Sequence, residues 1–196
     1  GAILAGHIAM ECGLDKVLSY DMGGTTAKIC LIDGGRPQTS RTFEVDRQYR
    51  FTKGSGLPLR IPVIEMVEIG AGGGSIAQID NLGRIQVGPE SAGSEPGPAC
   101  YGQGGTGATV TDADVALGRI APAGFAGGSV QLSPDLAEAA LDETIAQKLN
   151  LDGPLAAFAV SEMVEENMSN AARVHAVEQG KELAERTLIA FGGAAP

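Results

Sequence analysis

Hydrophobic and polar positions in the N-terminal part of the chain predict one helix followed by strands. Residues 1–14 are mostly apolar and end at Gly13, a pattern that predicts a short helix. Glycine-rich turns separate the apolar runs that follow, which is typical of an antiparallel meander. The strands predicted for this meander cover residues 17–21, 27–33 and 38–45.

Farther along the chain the pattern changes from strands to helices. Residues 61–69 fit a strand or a short helix, and 75–79 with 84–87 fit a hairpin. Residues 88–107 are rich in Gly, Pro and Ser and predict a long loop, a feature that is usually functional or mobile in compact domains. The later segments are predicted as helices over 112–117, 134–149 and 153–179, and as a last buried strand over 187–191.

Composition narrows the class of protein. The 196 residues are 43% hydrophobic, which is enough for one domain or two small lobes, and the 29 glycines indicate several loops with unusual backbone. A net charge of -10 disfavours nucleic-acid and anionic-membrane partners, and no apolar run approaches the ~18 residues that span a bilayer. The three cysteines lack a CxxC pair, so a reducing cytoplasm fits better than a disulfide framework.

The segment 20–29 carries the most chemical information. A predicted strand delivers Asp21 at its end, the glycine pair at 23–24 allows a tight turn with inward amides, and the threonine pair at 25–26 adds hydroxyls. Mg²⁺ accepts one or two carboxylates together with phosphate oxygens, so one aspartate beside such a loop is sufficient. The segment therefore fits a phosphate-binding loop, with an ordinary hairpin turn as the alternative.

Two other glycine loops, at 70–75 and 191–194, bear on nucleotide binding. The loop at 70–75 does not fit GxGxxG and precedes a hairpin pattern, which excludes a dinucleotide fingerprint there. The chain contains no GxxxxGK[ST] sequence, which excludes a P-loop on these residues. At 191–194 a predicted strand again ends in paired glycines, an arrangement that would let a flat base lie against the backbone.

Five segments carry a family resemblance. They are 21–26 (DMGGTT), 68–77 (EIGAGGGSIA), 88–93 with 96–102 (GPESAG, PGPACYG), 109–113 (TVTDA) and 191–194 (FGGA). In this order they resemble the hydantoinase A and 5-oxoprolinase family over essentially the whole chain. Five ordered motifs are more specific than any single one of them.

The resemblance implies an actin-like ATPase fold, in which two ribonuclease H-like lobes clasp ATP and a metal. For this chain it implies an α/β lobe whose mixed sheet is flanked by helices, with a family-specific glycine-rich insertion at about residues 36–135. The chain has one Asp-Gly-Gly-Thr loop where the superfamily has two. Residues 1–196 would then be the second lobe of a longer chain, with the first lobe upstream and a C-terminal region beyond.

The resemblance also implies ATP and Mg²⁺, or another divalent metal, as cofactors. Asp21 would orient the metal or its bound water, which makes it the candidate catalytic residue. Where the family usually has Thr and Asp, this chain has Ala27 and Lys28, so a cation that could pair with a phosphate or a neighbouring carboxylate replaces a second carboxylate. The implied nucleotide-binding residues are Gly23, Gly24, Thr25, Thr26, Gly192 and Gly193.

The implied activity is ATP-dependent opening of a cyclic amide of the hydantoin, N-methylhydantoin or 5-oxoproline type, through phosphoryl activation of the amide oxygen. An ATP-dependent ketone carboxylase subunit and a non-catalytic assembly lobe are the alternatives. The lobe alone is expected to be inactive. Its expected partners are the cyclic amide, the first lobe of the same chain and a hydantoinase B-type subunit.

Three polar residues outside the nucleotide loops are further candidates for a substrate or loop role. Glu90 lies in the glycine- and proline-rich loop, where it could face a substrate or solvent. Asp112 fits a helix cap or a carboxylate pair with Asp114. Asn167 lies on an apolar row of the longest helix, where it could anchor a glycine-rich loop.

Overall fold

The computed structural model describes residues 1–46, 48 and 54–194. They form a mixed sheet with helices on both faces, which confirms the predicted α/β fold class. Within the described part of the chain, no helix is both long enough and apolar enough to cross a membrane. In chain order the helices and strands are α1 (Ala2–Glu11), β1 (Lys16–Met22), β2 (Ala27–Asp33), β3 (Arg36–Pro37), β4 (Thr39–Ser40), β5 (Phe43–Val45), β6 (Leu57–Leu59), β7 (Val63–Ile64), β8 (Val67–Ile69), β9 (Ser75–Ile79), β10 (Ile85–Ser91), α2 (Val110–Ala116), α3 (Pro134–Leu141), α4 (Gln147–Leu149), α5 (Gly153–Glu178) and β11 (Thr187–Phe191).

The central sheet has five strands and both pairing directions. β1 pairs antiparallel with β2 and parallel with β11, so β1 and β11 end at the same edge. β2 pairs antiparallel with β3 near one end and with β8 near the other. The remaining strands form three two-stranded ribbons outside this sheet, namely β4 with β7, β5 with β6, and β9 with β10.

Side chains alternate between the two faces of β1 and β2, and each face has its own core. On one face Val17 and Ile32 pack against Ala5 and Ala9 of α1. The larger core lies on the other face, where α5 covers the sheet. Its buried members include Met22, Ile29, Val160, Val164 and Met168.

The two longer helices after the glycine-rich region begin where the sequence predicts. Ser133 accepts a hydrogen bond from the amide three residues later, and Pro134 occupies the first turn of α3. Asp152 caps α5 in the same way, with Pro154 in the first turn. A side-chain oxygen at the cap accepts a hydrogen bond from an amide that has no partner inside the helix. Proline is tolerated in the first turn, because the amide hydrogen that it lacks would have no acceptor there.

The structure differs from the sequence prediction at four places. The strand predicted over 38–45 is broken into β4 and β5, which pair outside the main sheet. The loop predicted from residue 88 starts later, because β10 continues to Ser91. The helix predicted over 134–149 contains a π-helical turn at Asp142–Ala146. The last strand, β11, is predicted as buried but is an edge strand, with Leu188 57% exposed. An apolar sequence does not reveal whether a neighbouring element covers the strand.

Candidate functional site

The candidate site lies at the edge where the two parallel strands end. Asp21 near the end of β1 is paired in register with Phe191 at the end of β11. The loop after β1 is residues 23–26, called here the Gly-Gly-Thr-Thr loop, and the turn after β11 is residues 192–194. Ala194 donates its amide to the carbonyl of Met22 at 3.1 Å, which fixes the two segments against each other.

A second glycine loop, residues 70–75, packs directly against the Gly-Gly-Thr-Thr loop. The amide of Gly73 donates to the Gly23 carbonyl at 3.1 Å, and the amide of Gly74 donates to the Gly24 carbonyl at 2.7 Å. A Cβ atom on Gly72 would lie 2.5 Å from the Gly23 oxygen and 2.6 Å from the Thr25 nitrogen. Only glycine allows this approach, because both clashing atoms belong to the backbone.

The same contact region includes the start of α2. The amide of Thr111 donates to the Gly73 carbonyl at 2.7 Å, and a Cβ on Gly73 would lie 2.7 Å from the Thr111 hydroxyl and 2.8 Å from the Cβ of Ala194. Gly192 has a φ of 113°, and a Cβ there would lie 2.2 Å from the Met22 carbonyl oxygen. Four segments that are distant in sequence are therefore brought together by backbone contacts.

The outer side of the Gly-Gly-Thr-Thr loop is open. Gly24 and Thr25 are exposed, and within the described residues their amides donate to no protein acceptor. A Cβ on Gly24 or on Gly193 would meet no protein atom within 4 Å. The protein's own packing therefore does not explain these two glycines, whereas close approach of an anion to the backbone would.

Charged side chains lie side by side across three strands beneath this loop. Asp21 on β1 is directly opposite Lys28 on β2, and Lys28 is directly opposite Glu68 on β8. Lys28 Nζ lies 3.7 Å from Glu68 Oε1, so the structure gives Lys28 a neighbouring carboxylate as its partner. In the described part of the chain no three His, Cys, Asp or Glu side chains are placed to hold a metal. One partly exposed aspartate beside amides that lack a protein acceptor still fits Mg²⁺, which takes most of its ligands from phosphate and water.

A cavity of about 410 Å³ opens beside the 192–194 turn. Gly193 and Ala194 line one part of it, Ile120 and Phe125 supply apolar surface, and Arg119 supplies a positive charge. The volume lies within the range of about 300–1,000 Å³ that is usual for small-ligand pockets.

Arg119 is held in place from α2 and α5. Its Nη1 atom lies 2.6 Å from Glu165 Oε1 and 3.5 Å from Asp114 Oδ1, and it also donates to the Ser161 hydroxyl. Burial, together with the negative charge of Glu165, raises the pKa of the Tyr20 hydroxyl on the neighbouring strand β1. Arg119 thus links Asp114 of α2 and Glu165 of α5 to the lining of the open cavity.

Asp114 belongs to this group and titrates unusually. Its side chain is only 14% exposed, and burial raises its pKa from 3.8 to about 6, against the opposing effect of Arg119. The folded protein therefore holds this proton more tightly than the unfolded chain does. Folding becomes less favourable as pH rises from about 4 to about 6, and the full cost of the buried charge persists above that range.

We expect Asp114→Asn to stabilise the full-length protein relative to wild type at pH 7 but much less at pH 4. A shift of about two pKa units corresponds to about 3 kcal/mol, at 1.36 kcal/mol per unit. Thermal melts of both proteins from pH 4 to pH 8 measure the difference. Parallel stability profiles over that range would contradict the assignment of a raised pKa to Asp114.

Asp112 is buried, and both oxygens of its carboxylate accept hydrogen bonds from the protein. Its carboxylate is 0% exposed and accepts hydrogen bonds from the Cys100 amide at 2.7 Å, the Ala99 amide at 3.2 Å, and the amide and hydroxyl of Thr109 at 2.9 and 2.8 Å. Thr109 is the N-cap of α2, and Asp112 completes a capping box from the third helical position. Asp112 thus fixes the loop at 98–101 and has no exposed oxygen for a substrate.

The other two substrate or loop candidates are exposed. Glu90 lies on β10, one residue before Ser91, whose hydroxyl lies close to Gly74. Asn167 lies on α5 and lines a groove of about 610 Å³ together with Gly70 and Pro89. Asn167 therefore faces a glycine loop across an open groove, and neither side chain contacts the Gly-Gly-Thr-Thr loop through any described hydrogen bond.

Comparison with known proteins identifies the family. The family model for hydantoinase/oxoprolinase matches residues 1–196. The chain belongs to this family. The caprolactamase alpha subunit of Pseudomonas jessenii is 40% identical over 188 residues, which are 96% of this chain and 26% of that subunit. The acetophenone carboxylase gamma subunit of Aromatoleum aromaticum is 38% identical over 199 residues, which are 100% of this chain and 26% of that subunit.

Solved structures of family relatives have the same fold. The nucleotide-free structure of acetone carboxylase matches with a TM-score of 0.84 and 27% identity, covering 98% of this chain and 26% of that one. The crystal structure of the ATP-dependent caprolactamase of Pseudomonas jessenii matches with a TM-score of 0.81 and 36% identity, over 97% and 26% of the two chains. This hydantoinase/oxoprolinase chain thus spans about a quarter of the length of these relatives.

Sequence reasoning missed two parts of the site. It did not single out Gly72 and Gly73 as the surface against which the Gly-Gly-Thr-Thr loop packs, although an uninterrupted glycine run was a readable signal for close backbone approach. It also missed Arg119. No local pattern marks that residue, because its partner Glu165 lies 46 positions away.

Proposed function

We propose that this hydantoinase/oxoprolinase chain is the second lobe of an ATP-dependent enzyme that opens a cyclic amide. The observation that carries the proposal is the pair of exposed residues Gly24 and Thr25, whose amides donate to no described protein acceptor, in a glycine turn beside the Asp21 carboxylate. Such a turn suits phosphate oxygens, and the neighbouring carboxylate suits a magnesium ion. The relative that is 40% identical is a caprolactamase subunit, and caprolactam is a cyclic amide.

In this proposal the residues have separate roles. The Gly24 and Thr25 amides, with the hydroxyls of Thr25 and Thr26, hold phosphate oxygens of ATP, whereas the Gly23 amide closes the turn by donating to the Thr26 carbonyl at 3.0 Å. Asp21 orients Mg²⁺ or its bound water, and the metal supplies charge neutralisation on the phosphates. The backbone of Gly192 and Gly193 receives the adenosine, in the cavity beside the turn.

The chemical reason for using ATP is the stability of the amide. An unstrained lactam is a poor electrophile, and its nitrogen is a poor leaving group. Transfer of the γ-phosphoryl group to the amide oxygen releases ADP and makes the carbon electrophilic. Water then adds to that carbon and the carbon–nitrogen bond breaks, which leaves a free amine and an acyl phosphate. A second water hydrolyses the acyl phosphate to the carboxylate and inorganic phosphate. Protein groups in such transfers mainly position the reactants and neutralise charge.

A ketone carboxylase is the second candidate. The acetophenone carboxylase gamma subunit is 38% identical over the whole chain, and acetone carboxylase is a structural match with a TM-score of 0.84. Both candidates would use the same nucleotide loops and differ in the substrate pocket. In either case we propose a cytoplasmic enzyme that works with the first lobe of its own chain and with a hydantoinase B-type subunit.

The test is phosphate release from Mg-ATP by the full-length protein, supplied with its partner subunit. The substrate panel contains hydantoin, N-methylhydantoin, 5-oxoproline, caprolactam and acetophenone, each with and without bicarbonate. Release stimulated by a cyclic amide without bicarbonate is the expected result. Release that needs both a ketone and bicarbonate would move the protein to the carboxylases. ATP binding without stimulated release would favour a non-catalytic assembly lobe.

A further inference from the structure

We propose that Arg119 contacts the base of the bound nucleotide and supplies the affinity that distinguishes ATP from a bare polyphosphate. This inference rests on the proposed function, because it requires a nucleotide in the cavity beside the 192–194 turn. Its evidence is separate from that of the phosphate loop. It comes from the position of Arg119, its fixed hydrogen bonds and the walls that surround it.

Arg119 is the charged side chain of that cavity. The remaining described lining consists of glycine, alanine, isoleucine and phenylalanine. A guanidinium group is planar and weakly hydrated, and it stacks on aromatic rings. A purine base next to it would meet apolar surface at Ile120 and Phe125 and backbone at Gly193.

The hydrogen bonds of Arg119 leave part of its guanidinium available. All three contacts, to Glu165, Asp114 and Ser161, run through Nη1. The Nε and Nη2 atoms have no partner in the described part of the chain, and the side chain is 36% exposed. One nitrogen thus holds the group in place, while the rest can contact a ligand.

The anchoring of Arg119 lowers the cost of binding. A free arginine loses rotamer freedom when it orders against a ligand. Here Glu165 and Ser161, one turn apart on α5, hold the guanidinium before any ligand arrives. A preorganised cation beside an apolar wall is suited to recognise an aromatic ring, which inorganic phosphate lacks.

The experiment compares two probes on the full-length protein with its partner subunit. Dissociation constants are measured for Mg-ATP and for magnesium tripolyphosphate, which carries the phosphates without the base. Arg119→Ala should raise the constant for ATP about 10-fold, within the range of cation–π energies. The constant for tripolyphosphate should stay within about twofold, because binding energy lost at the base does not involve the phosphates.

Two further variants separate this role from general charge and from folding. Arg173→Ala removes a different arginine–glutamate ion pair, in which both residues lie on α5 and Arg173 Nη1 is 3.0 Å from Glu166 Oε1. This variant should change neither dissociation constant. Arg119→Lys keeps the positive charge but loses the planar group, so ATP affinity should still fall. Melting temperatures of all variants are measured in parallel.

The outcomes are distinct. An equal loss for ATP and tripolyphosphate in a folded Arg119→Ala protein would overturn the assignment, as would unchanged ATP affinity in that variant. Full rescue by Arg119→Lys would also overturn it, because charge alone would then suffice. If the wild-type protein binds neither probe, the proposed function itself fails.

Discussion

Asp21→Asn in the full-length protein should lower ATP-dependent phosphate release by about 10²- to 10³-fold, the usual loss when one preorganised electrostatic group is removed. The Asp21 side chain makes no hydrogen bond within the described residues, is 34% exposed and lies 3.9 Å from the Gly1 amino group. Because a partly exposed ion pair at this distance contributes little to stability, the melting temperature should change little. The measurement is steady-state phosphate release at saturating Mg-ATP with the best substrate of the panel.

The matched control is Asp15→Asn. Asp15 is exposed and comes directly before the first residue of β1, at the end of the strand that is remote from the glycine loops. The same carboxylate-to-amide change there should leave phosphate release unchanged. If Asp21→Asn retained wild-type turnover in a protein that hydrolyses ATP, the metal-orienting role of Asp21 would be wrong.

Two glycine substitutions should both weaken nucleotide binding, for different structural reasons. Gly72→Ala places a Cβ 2.5 Å from the Gly23 carbonyl oxygen, so the two loops must separate. Overpacking of this kind costs about 1–3 kcal/mol, and we expect both the melting temperature and nucleotide binding to fall. Gly24→Ala meets no protein atom within 4 Å, so the fold should keep its stability.

Nucleotide affinity should nevertheless fall in Gly24→Ala. The added methyl group would occupy space next to the exposed amides that the phosphates need, and a loss of about 1.4 kcal/mol already weakens binding tenfold. Gly153→Ala is the control, because its Cβ is also open but lies at the start of α5. Unchanged ATP affinity in Gly24→Ala would show that no ligand approaches the loop from that side.

Local signals made much of the fold predictable. The glycine turns and apolar runs of β1 and β2, and the proline and cap residues of α3 and α5, specify their own structure through short-range contacts. The weak predictions concern non-local partners. An apolar run at 187–191 reads as a buried strand, but whether Leu188 is covered depends on which neighbour lies beside it.

In the candidate site too, contiguous motifs could be predicted from sequence, whereas contacts between distant residues could not. The motif around Asp21 is contiguous, so its chemistry can be read directly from sequence. Asp112 shows the limit of such reasoning, because a carboxylate near the motifs proved to be the fully buried partner of the 98–101 loop. Arg119 gains its position from Glu165 on another helix, a contact that only the three-dimensional structure reveals.

Hydrogen exchange tests the central claim most directly, because it observes the loop amides themselves. Exposed amides without acceptors exchange fast, and phosphate oxygens that accept their hydrogens would slow the exchange. Exchange of the full-length protein should therefore slow at residues 22–27 and 191–194 when Mg-ATP is added. The turn at 33–36, at the other end of the sheet, should stay unchanged. Tight ATP binding with no protection at 22–27 would contradict the assignment of the Gly-Gly-Thr-Thr loop as the phosphate site.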